Sequence, residues 1–174
     1  MHSPTIIFSH GKEGEPWGIK IAAMAEVARN LGYRVESVDY RGIADPRQRV
    51  EKLLEFAQGI SRPVLVGSSL GGHVATAASI AARARGLFLL APAFYMPGFE
   101  EFTPKPANCP VSIVHGWADE IVPVANSIRY ASEYGATLQI IAADHRMQQH
   151  LAWINGYFDL FLRQLELNGK PAAD

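Results

Sequence analysis

The sequence predicts an α/β domain, a three-layer α/β/α sandwich with a mostly parallel, six-stranded sheet between two layers of helices. Short apolar runs alternate along the chain with longer amphipathic or alanine-rich segments. Most of these runs are continuously apolar, as expected for strands that are covered on both faces. Such alternation is typical of parallel strands joined by helical crossovers. The predicted strands are residues 5–9, 34–38, 64–68, 86–91, 111–115 and 137–142.

The first two predicted helices carry clear boundary signals. The first spans about residues 17–31 and stops at Gly32, since glycine is favoured directly after a helix. Its apolar stripe is predicted to consist of Ile19, Ala23, Val27 and Leu31. The second has Asp45 as its N-cap and Pro46 at its first position, and it ends at Gly59. Its core-facing residues are predicted to be Val50, Leu53, Leu54 and Ala57.

The other three predicted helices follow the third, fifth and sixth strands. One spans about residues 73–83 and carries alanines that allow close packing on the sheet. The next starts near Pro123 and ends before Gly135, and the last spans about residues 148–167. The chain has no internal repeat, and its length suits one hydrophobic core. We therefore expect a single domain over residues 1–174.

Residues 67–71 read Gly-Ser-Ser-Leu-Gly and match the pattern G-x-S-x-G between a predicted strand and a predicted helix. This setting is that of a nucleophile elbow, where a strained turn presents a serine hydroxyl beyond the end of the sheet. The flanking glycines are needed because a Cβ there would collide with the neighbouring strand or helix. Ser69 is therefore predicted as the nucleophile, whereas Ser68 is interpreted as the strand end.

An acid and a histidine follow later strands. Asp119 comes after the fifth predicted strand, and His145 comes after the sixth. Reactive groups of a doubly wound sheet collect at the carboxyl ends of its strands, so we expect these two residues to meet Ser69 there. A serine hydroxyl becomes nucleophilic when an imidazole takes its proton, and a buried carboxylate orients that imidazole. The pattern predicts a Ser-Asp-His catalytic triad.

Two backbone amides are predicted to form an oxyanion hole, because negative charge that develops on a substrate oxygen needs preorganised N–H donors. Leu70, directly after the nucleophile, is expected to supply one amide. The loop after the first strand is expected to supply the other, from Lys12 or, as the alternative, from Gly11.

With these motifs the chain resembles the α/β-hydrolase superfamily, and in particular its small, lidless serine esterases. The matching pieces are His10-Gly11, the G-x-S-x-G at residues 67–71, H-G-x-x-D-x-x-V-P at residues 115–123, and Asp144-His145. The resemblance implies a serine hydrolase with Ser69 as nucleophile, Asp119 as acid and His145 as base. By analogy it also implies the strand order 2-1-3-4-5-6.

An inserted cap domain, which shapes the substrate pocket in larger members of the superfamily, is not expected here. The longest predicted loop, residues 92–110, is rich in proline and aromatic residues but is too short to form one. We therefore expect an open site. The candidate walls of its substrate pocket are Trp17, Phe94, Tyr95 and Trp117.

The acidic residues near the predicted site have alternative roles. Asp119 could instead cap the helix that starts near Pro123, in which case Glu120 is the reserve acid. Asp144 could orient a loop. Among the histidines, His145 competes with four others, and a histidine that precedes glycine at a strand end more often braces a loop. The competing histidines are His10, His73, His115 and His150.

Composition excludes several classes of function. The chain has 174 residues, 19% charged residues and a net charge of −1, so no basic surplus indicates a nucleic-acid partner. No apolar stretch approaches the roughly 20 residues of a membrane span. Neither a phosphate-binding glycine loop nor the spacing of a helical zinc site is present, so we expect no cofactor and no metal.

The sequence also led to an expectation about the cellular compartment. The chain has one cysteine, Cys109, which excludes an internal disulfide framework and fits a reducing environment. No charged segment followed by an apolar signal core stands at the N-terminus. These two observations favour a cytoplasmic protein without a membrane partner.

Together these patterns predict a hydrolase of small-molecule carboxylic esters or thioesters that forms an acyl-enzyme on Ser69. The alternative is a non-catalytic binding module with the same fold, since fold alone does not imply function. No surface stripe specifies an oligomeric interface, so the oligomeric state stays open.

Overall fold

In the computed structural model, which describes residues 3–168, six strands form one sheet in the order β2-β1-β3-β4-β5-β6. Every neighbouring pair of strands is parallel. The fold class predicted from the sequence and the strand order implied by the family resemblance are therefore confirmed. The strands are β1 (Thr5–Ser9), β2 (Arg34–Val38), β3 (Val64–Ser68), β4 (Gly86–Leu90), β5 (Val111–Gly116) and β6 (Thr137–Ile141).

Five α-helices cover the two faces of this sheet. Two of them pack in the core on one face, and the other three contribute to the core on the opposite face. The first pair is α1 (Ile19–Asn30) and α5 (Leu151–Asn168). The others are α2 (Pro46–Phe56), α3 (Leu70–Ala78) and α4 (Val124–Tyr134). The three layers of the sandwich follow from this division.

Local signals in the sequence set several helix boundaries. The Asp45 carboxylate accepts a hydrogen bond from the Arg47 N–H at 2.9 Å, and Pro46 is the first residue of α2. At the end of α4, Gly135 adopts left-handed backbone angles, with φ of 67°. These are the N-cap and the glycine stop that the sequence predicts for the two helices.

The structure corrects part of the apolar stripe predicted for α1, although Val27 and Leu31 of that stripe are partly buried against the core. The buried residues of this helix are Ile21, Met24, Ala25 and Ala28. The first residue of the predicted stripe, Ile19, is instead 66% exposed. Because α1 has apolar residues on more than one of its sides, periodicity alone could not select the side that packs on the sheet and on α5.

The architecture brings the loops that follow β1, β3, β5 and β6 to one edge of the sheet, because parallel strands all end on the same side. Between β4 and β5, the structure contains a single 3₁₀ turn, Glu100–Phe102. No cap domain is inserted in the part of the chain from residue 3 to residue 168, so the edge that carries the candidate site is not covered by a lid.

Candidate active site

Ser69 lies in a strained turn between β3 and α3. Its φ and ψ angles are 55° and −121°, which is rare for a residue with a side chain. The turn is held by the Ser69 N–H, which donates to the Leu90 carbonyl at 2.9 Å. Close packing requires the glycines on either side: a Cβ on Gly67 would overlap Gly71, and a Cβ on Gly71 would overlap the Ser9 carbonyl. The geometry is that of a nucleophile elbow.

The Asp119 carboxylate follows β5 and is fully buried. Its Oδ1 atom accepts hydrogen bonds from the Ile121 N–H at 2.9 Å and the Val122 N–H at 2.8 Å. Its Oδ2 atom accepts a hydrogen bond from His145 Nδ1 at 2.7 Å. The two backbone bonds fix the carboxylate so that one oxygen is directed at the imidazole.

The environment of Asp119 favours its ionised form. Burial by itself would raise the pKa of this carboxyl group. The hydrogen bonds from the Val122 N–H, His145 and the Ile121 N–H outweigh burial, and the pKa of Asp119 is lowered from its ordinary value of 3.8. Asp119 is therefore an anion at neutral pH, as a partner for an imidazolium must be.

A second imidazole contacts the same carboxylate oxygen. His115, the last residue but one of β5, is fully buried, and its Nε2 atom lies 3.0 Å from Asp119 Oδ2 and 2.9 Å from the Val122 carbonyl oxygen. Its Nδ1 atom lies 2.7 Å from Ser127 Oγ. Burial lowers the pKa of His115, so this ring is neutral at pH 7, with Nε2–H donating and Nδ1 accepting.

The loop that carries His145 is tied to the loop that carries Asp119. The Ala118 N–H donates to the Ala143 carbonyl at 3.0 Å, which joins the two loops directly. Asp144 Oδ1 accepts a hydrogen bond from the Met147 N–H at 2.8 Å. Asp144 therefore orients the loop, which is the alternative role given for it above. Glu120, the reserve acid, is exposed and makes no ion pair in the described part of the chain.

The loop after β1 borders Ser69. A Cβ placed on Gly11 would lie 3.5 Å from Ser69 Cβ. The His10 ring braces this loop: its Nε2 atom accepts a hydrogen bond from the Tyr40 N–H at 2.9 Å, and its Nδ1 atom donates to the Gly11 carbonyl at 2.8 Å. Burial lowers the pKa of His10, which agrees with this neutral tautomer. Within residues 3–168, the amides of Gly11, Lys12 and Leu70 donate to no protein acceptor.

Lys20, at the start of α1, lies close to the same region and was not predicted from the sequence. Its ammonium group donates to Ser68 Oγ at 3.2 Å. Burial lowers the pKa of Lys20, and the carboxylates of Asp144 and Asp119 act in the opposite direction. The lysine side chain thus contacts the serine that directly precedes Ser69. Its position beside the apolar residues of α1 gave no signal for this contact.

The comparison with protein families shows the family of the chain. A family model described as the alpha/beta hydrolase family matches residues 6–167, which is nearly the whole chain. The chain belongs to the α/β-hydrolase family. The hydrolase family membership and the lidless architecture expected from the sequence are thus confirmed.

Three similar proteins illustrate the range of this family. A crystal structure of a hydrolase of the alpha/beta superfamily from Xanthomonas campestris pv. campestris superposes with a TM-score of 0.87 at 34% identity, covering 94% of this chain and 99% of that chain. A serine hydrolase without lid from Xanthomonas campestris has a TM-score of 0.76 at 22% identity, covering 98% and 84%. The bovine mitochondrial palmitoyl-protein thioesterase ABHD10 is 25% identical over 211 residues, covering 84% of this chain and 68% of that protein.

The curated relatives contradict the expectation of a cytoplasmic protein, because those matched are described as mitochondrial. The expectation depended in part on the single cysteine of this hydrolase. A missing disulfide framework indicates a reducing environment at most, and that property does not distinguish the cytoplasm from other reducing compartments.

Two of the predicted pocket residues belong to the core of the hydrolase instead. Phe94 has no exposed surface and stacks on Tyr130, with ring centroids 3.9 Å apart. Tyr95 is 9% exposed, and its hydroxyl donates to Glu133 at 2.6 Å. A side chain without exposed surface cannot line an open pocket, so the prediction of Phe94 as a pocket wall is wrong, and Tyr95 packs in the same buried cluster. The aromatic residues of the loop 92–110 predicted a pocket wall, but the first two of them, Phe94 and Tyr95, pack into the core.

The other two predicted pocket residues are exposed. Trp17 is 46% exposed, and the guanidinium carbon of Arg29 lies 5.6 Å from the centroid of the Trp17 ring. Trp117, in the loop with Asp119, is 61% exposed. Both remain candidates for the rim of a substrate site.

At the opposite end of the sheet, a groove of about 770 Å³ is lined by Arg34, Arg62 and Arg85 among others and contains none of the predicted site residues.

The structure gives no indication of a bound metal among its described residues. No group of three or more His, Cys, Asp or Glu side chains between residues 3 and 168 is arranged to hold a metal ion. The competing histidine His150 is directed at the Ala142 carbonyl, 2.9 Å from its Nε2 atom. In the same residues, no helix combines the length and the apolar character needed to cross a membrane.

Proposed function

We propose that this α/β hydrolase cleaves carboxylic esters or thioesters through an acyl-enzyme on Ser69, with His145 as general base and Asp119 as the acid of the triad. The observation that carries the proposal is a hydrogen bond of 2.7 Å from His145 Nδ1 to the buried Asp119 carboxylate. It lies at the edge of the sheet where the strained turn of Ser69 is also found. With Nδ1 bound to the carboxylate, His145 Nε2 is left as the atom that can take a proton.

In the proposed reaction, Ser69 Oγ attacks the carbonyl carbon of the substrate while its proton passes to His145 Nε2. The tetrahedral intermediate then expels the alkoxide or thiolate, which takes that proton from the imidazolium and leaves as an alcohol or thiol. Water repeats the sequence on the acyl-enzyme and releases the carboxylic acid. Throughout, the ionised Asp119 stabilises the imidazolium and preserves its tautomer.

The amides of Leu70 and of Lys12 or Gly11 are proposed as the oxyanion hole. The Leu70 amide begins α3, where it has no partner within the helix and where the helix dipole favours negative charge. The Gly11 position borders the Ser69 side chain. Two donors near the nucleophile would stabilise the oxyanion more strongly than they stabilise the neutral carbonyl group, which is the requirement for catalysis.

The curated relatives favour a thioester among the possible substrates, since they are named palmitoyl-protein thioesterases. The lidless edge offers room for an acyl chain or a bulky leaving group, and the exposed indoles of Trp17 and Trp117 offer apolar surface. We therefore propose small-molecule thioesters and esters as the substrate class, with the thioesters to be tested first.

The proposal is tested with a fluorophosphonate probe and peptide mapping by mass spectrometry. Wild-type protein should carry the adduct on Ser69, and Ser69→Ala should carry none. Ser68→Ala is the matched control, because it removes the neighbouring hydroxyl and should leave the adduct on Ser69. A folded wild-type protein that forms no adduct would contradict the proposal and favour a non-catalytic binding module.

Turnover then separates the substrate classes. Wild-type protein is assayed on matched pairs of acyl oxyesters and acyl thioesters of increasing chain length. A higher kcat/KM for the thioester of each pair, after correction for intrinsic hydrolysis, would support thioesterase activity. Equal or lower values would place the hydrolase among the oxyesterases.

A further inference from the structure

Arg49 of α2 is a buried cation without an acidic partner. The residue is 2% exposed, and its side chain forms no ion pair with any carboxylate among residues 3–168. Burial lowers the pKa of Arg49, but a guanidinium keeps its charge in proteins. A buried charge is costly unless hydrogen bonds compensate it, so its contacts must be specific.

The guanidinium is held by carbonyl oxygens of the loop that borders Ser69. Arg49 Nη1 lies 3.4 Å from the His10 carbonyl oxygen and 3.2 Å from that of Gly11, and Nη2 lies 3.4 Å from that of Lys12. Arg49 Nε donates to the Ile43 carbonyl at 2.7 Å. One side chain therefore contacts three successive peptide groups of the candidate oxyanion loop.

These contacts determine where the amides of the loop point. A carbonyl and the N–H of the next residue belong to one planar trans peptide group and point in opposite directions. When the carbonyls of His10, Gly11 and Lys12 face Arg49, the N–H groups of Gly11, Lys12 and Glu13 face away from it. These three N–H groups therefore point away from α2, toward the other side of the loop.

The peptide group between Gly11 and Lys12 is the most constrained of the three. Besides Arg49, the Gly11 carbonyl accepts hydrogen bonds from His10 Nδ1 at 2.8 Å and from the Gly14 N–H at 3.3 Å. Of the two amides considered for the oxyanion hole, this favours that of Lys12, because its orientation is set by three donors on the opposite end of the same peptide group.

We propose that Arg49 is a positioning residue that orients and polarises the oxyanion hole through the carbonyls of residues 10–12. The inference rests on the proposed function of Ser69. Carbonyl partners solvate the guanidinium through their dipoles and, unlike a carboxylate, do not neutralise its positive charge. That charge acts through the aligned peptide groups on the negative oxygen that develops on the far side of the loop. Arg49 itself does not touch the substrate.

The consequence is a specific kinetic signature. An interaction made only in the transition state lowers kcat when it is lost and leaves KM nearly unchanged. Loss of a direct oxyanion donor costs about 10²–10³ in kcat, and a group that acts through the loop should cost less. We expect Arg49→Met to lower kcat about 10- to 100-fold.

The experiment compares Arg49→Met and Arg49→Lys with Leu53→Ala, a matched control on the same helix. Leu53 is fully buried and makes no hydrogen bond with the loop, so its truncation destabilises α2 without releasing the carbonyls. Each variant is assayed for kcat and KM on one aryl ester, for the inhibition constant of a trifluoromethyl ketone and for melting temperature. The ketone forms a hemiketal anion with the serine and so reports on the oxyanion hole.

The inference requires that Arg49→Met loses kcat and ketone affinity by similar factors, at a KM within about threefold of wild type. Arg49→Lys should recover part of both quantities. Leu53→Ala should keep its kcat despite a lower melting temperature. Wild-type kcat and ketone affinity in folded Arg49→Met would overturn it, as would an equal loss of kcat in Leu53→Ala. If Arg49→Met does not fold, the uncharged variant Arg49→Gln takes its place, and wild-type kcat and ketone affinity in that variant would overturn the inference. Failure of the proposed function is seen separately, as an absent Ser69 adduct in the wild type.

Discussion

His145 Nδ1 lies 2.7 Å from Asp119 Oδ2, although the two residues belong to loops that follow different strands of the sheet. The strands are neighbours, β5 and β6, and a backbone hydrogen bond from Ala118 to Ala143 joins the two loops. Asp119 and His145, the proposed acid and base, are thus held together by the fold itself. Such preorganisation avoids the cost of ordering the pair during the reaction.

Replacement of Asp119 by Asn should reduce kcat by about 10⁴, by analogy with the acid of a protease triad. An amide at this position can donate to His145 Nδ1 and so favours the wrong tautomer of the imidazole. Steady-state kinetics on an activated ester measures the effect. Glu120→Gln is the control and should stay near wild type, since Glu120 is exposed. A silent Asp119→Asn with an impaired Glu120→Gln would reassign the acid.

Buried histidines predict that the hydrolase loses stability in mild acid. Burial lowers the pKa values of His10 and His115 below their ordinary value of 6.5. As the pH falls through 6.5, the unfolded chain binds protons that the folded protein does not, so the free energy of unfolding decreases. The slope approaches about 1.4 kcal/mol per pH unit for each such histidine until its folded-state pKa is reached. Stability is fully present above pH 6.5.

Urea unfolding between pH 7.5 and pH 5 tests this dependence. The wild type should become steadily less stable as the pH falls. His10→Gln should be less stable than the wild type at pH 7.5, because the brace between Gly11 and Tyr40 is weakened. Its stability should then fall less steeply with pH, since one titrating group has been removed. Equal slopes for the two proteins would contradict the assignment of His10 as a neutral, buried ring.

The elbow should tolerate no side chain at Gly71, because a Cβ there would overlap the Ser9 backbone. We expect Gly71→Ala to displace the turn, to abolish labelling of Ser69 and to lower the free energy of unfolding by more than about 1 kcal/mol. Gly156→Ala is the matched control. Gly156 lies within α5 and has open space around the added Cβ, so alanine should stabilise the protein by about 0.5–1 kcal/mol. Unimpaired labelling of Gly71→Ala would contradict the elbow geometry.

The corrected placement of Phe94 predicts different effects for two aromatic residues. Phe94→Ala removes a fully buried ring that stacks on Tyr130 and should cost about 3–5 kcal/mol of stability. Trp117→Ala removes an exposed ring and should leave the melting temperature nearly unchanged while raising KM for hydrophobic acyl chains. Thermal unfolding and a chain-length series of substrates check the two effects. A stable Phe94→Ala with an altered KM would restore Phe94 as a pocket residue.

The amino-acid sequence by itself determined the layers and the edge where the candidate site lies, and the family resemblance of its motifs implied the strand order. Buried parallel strands require continuous apolar runs, and their carboxyl ends meet at one edge whatever the length of chain between them. For that reason Ser69, Asp119 and His145 could be grouped from their positions after the strands. Even the bracing role of His10 followed from its place between a strand end and a glycine.

Only the tertiary structure decided which side chains fill the space between these elements. Arg49 shares the face of Leu53 on α2, a charged residue on an apolar stripe, yet three of its four carbonyl partners lie in a loop 37–39 residues earlier. The contact of His115 with Asp119 and the burial of Phe94 likewise depend on how loops pack. Periodicity specifies the face of a helix or strand, whereas a contact between distant segments depends on the volumes and hydrogen-bonding groups that meet there.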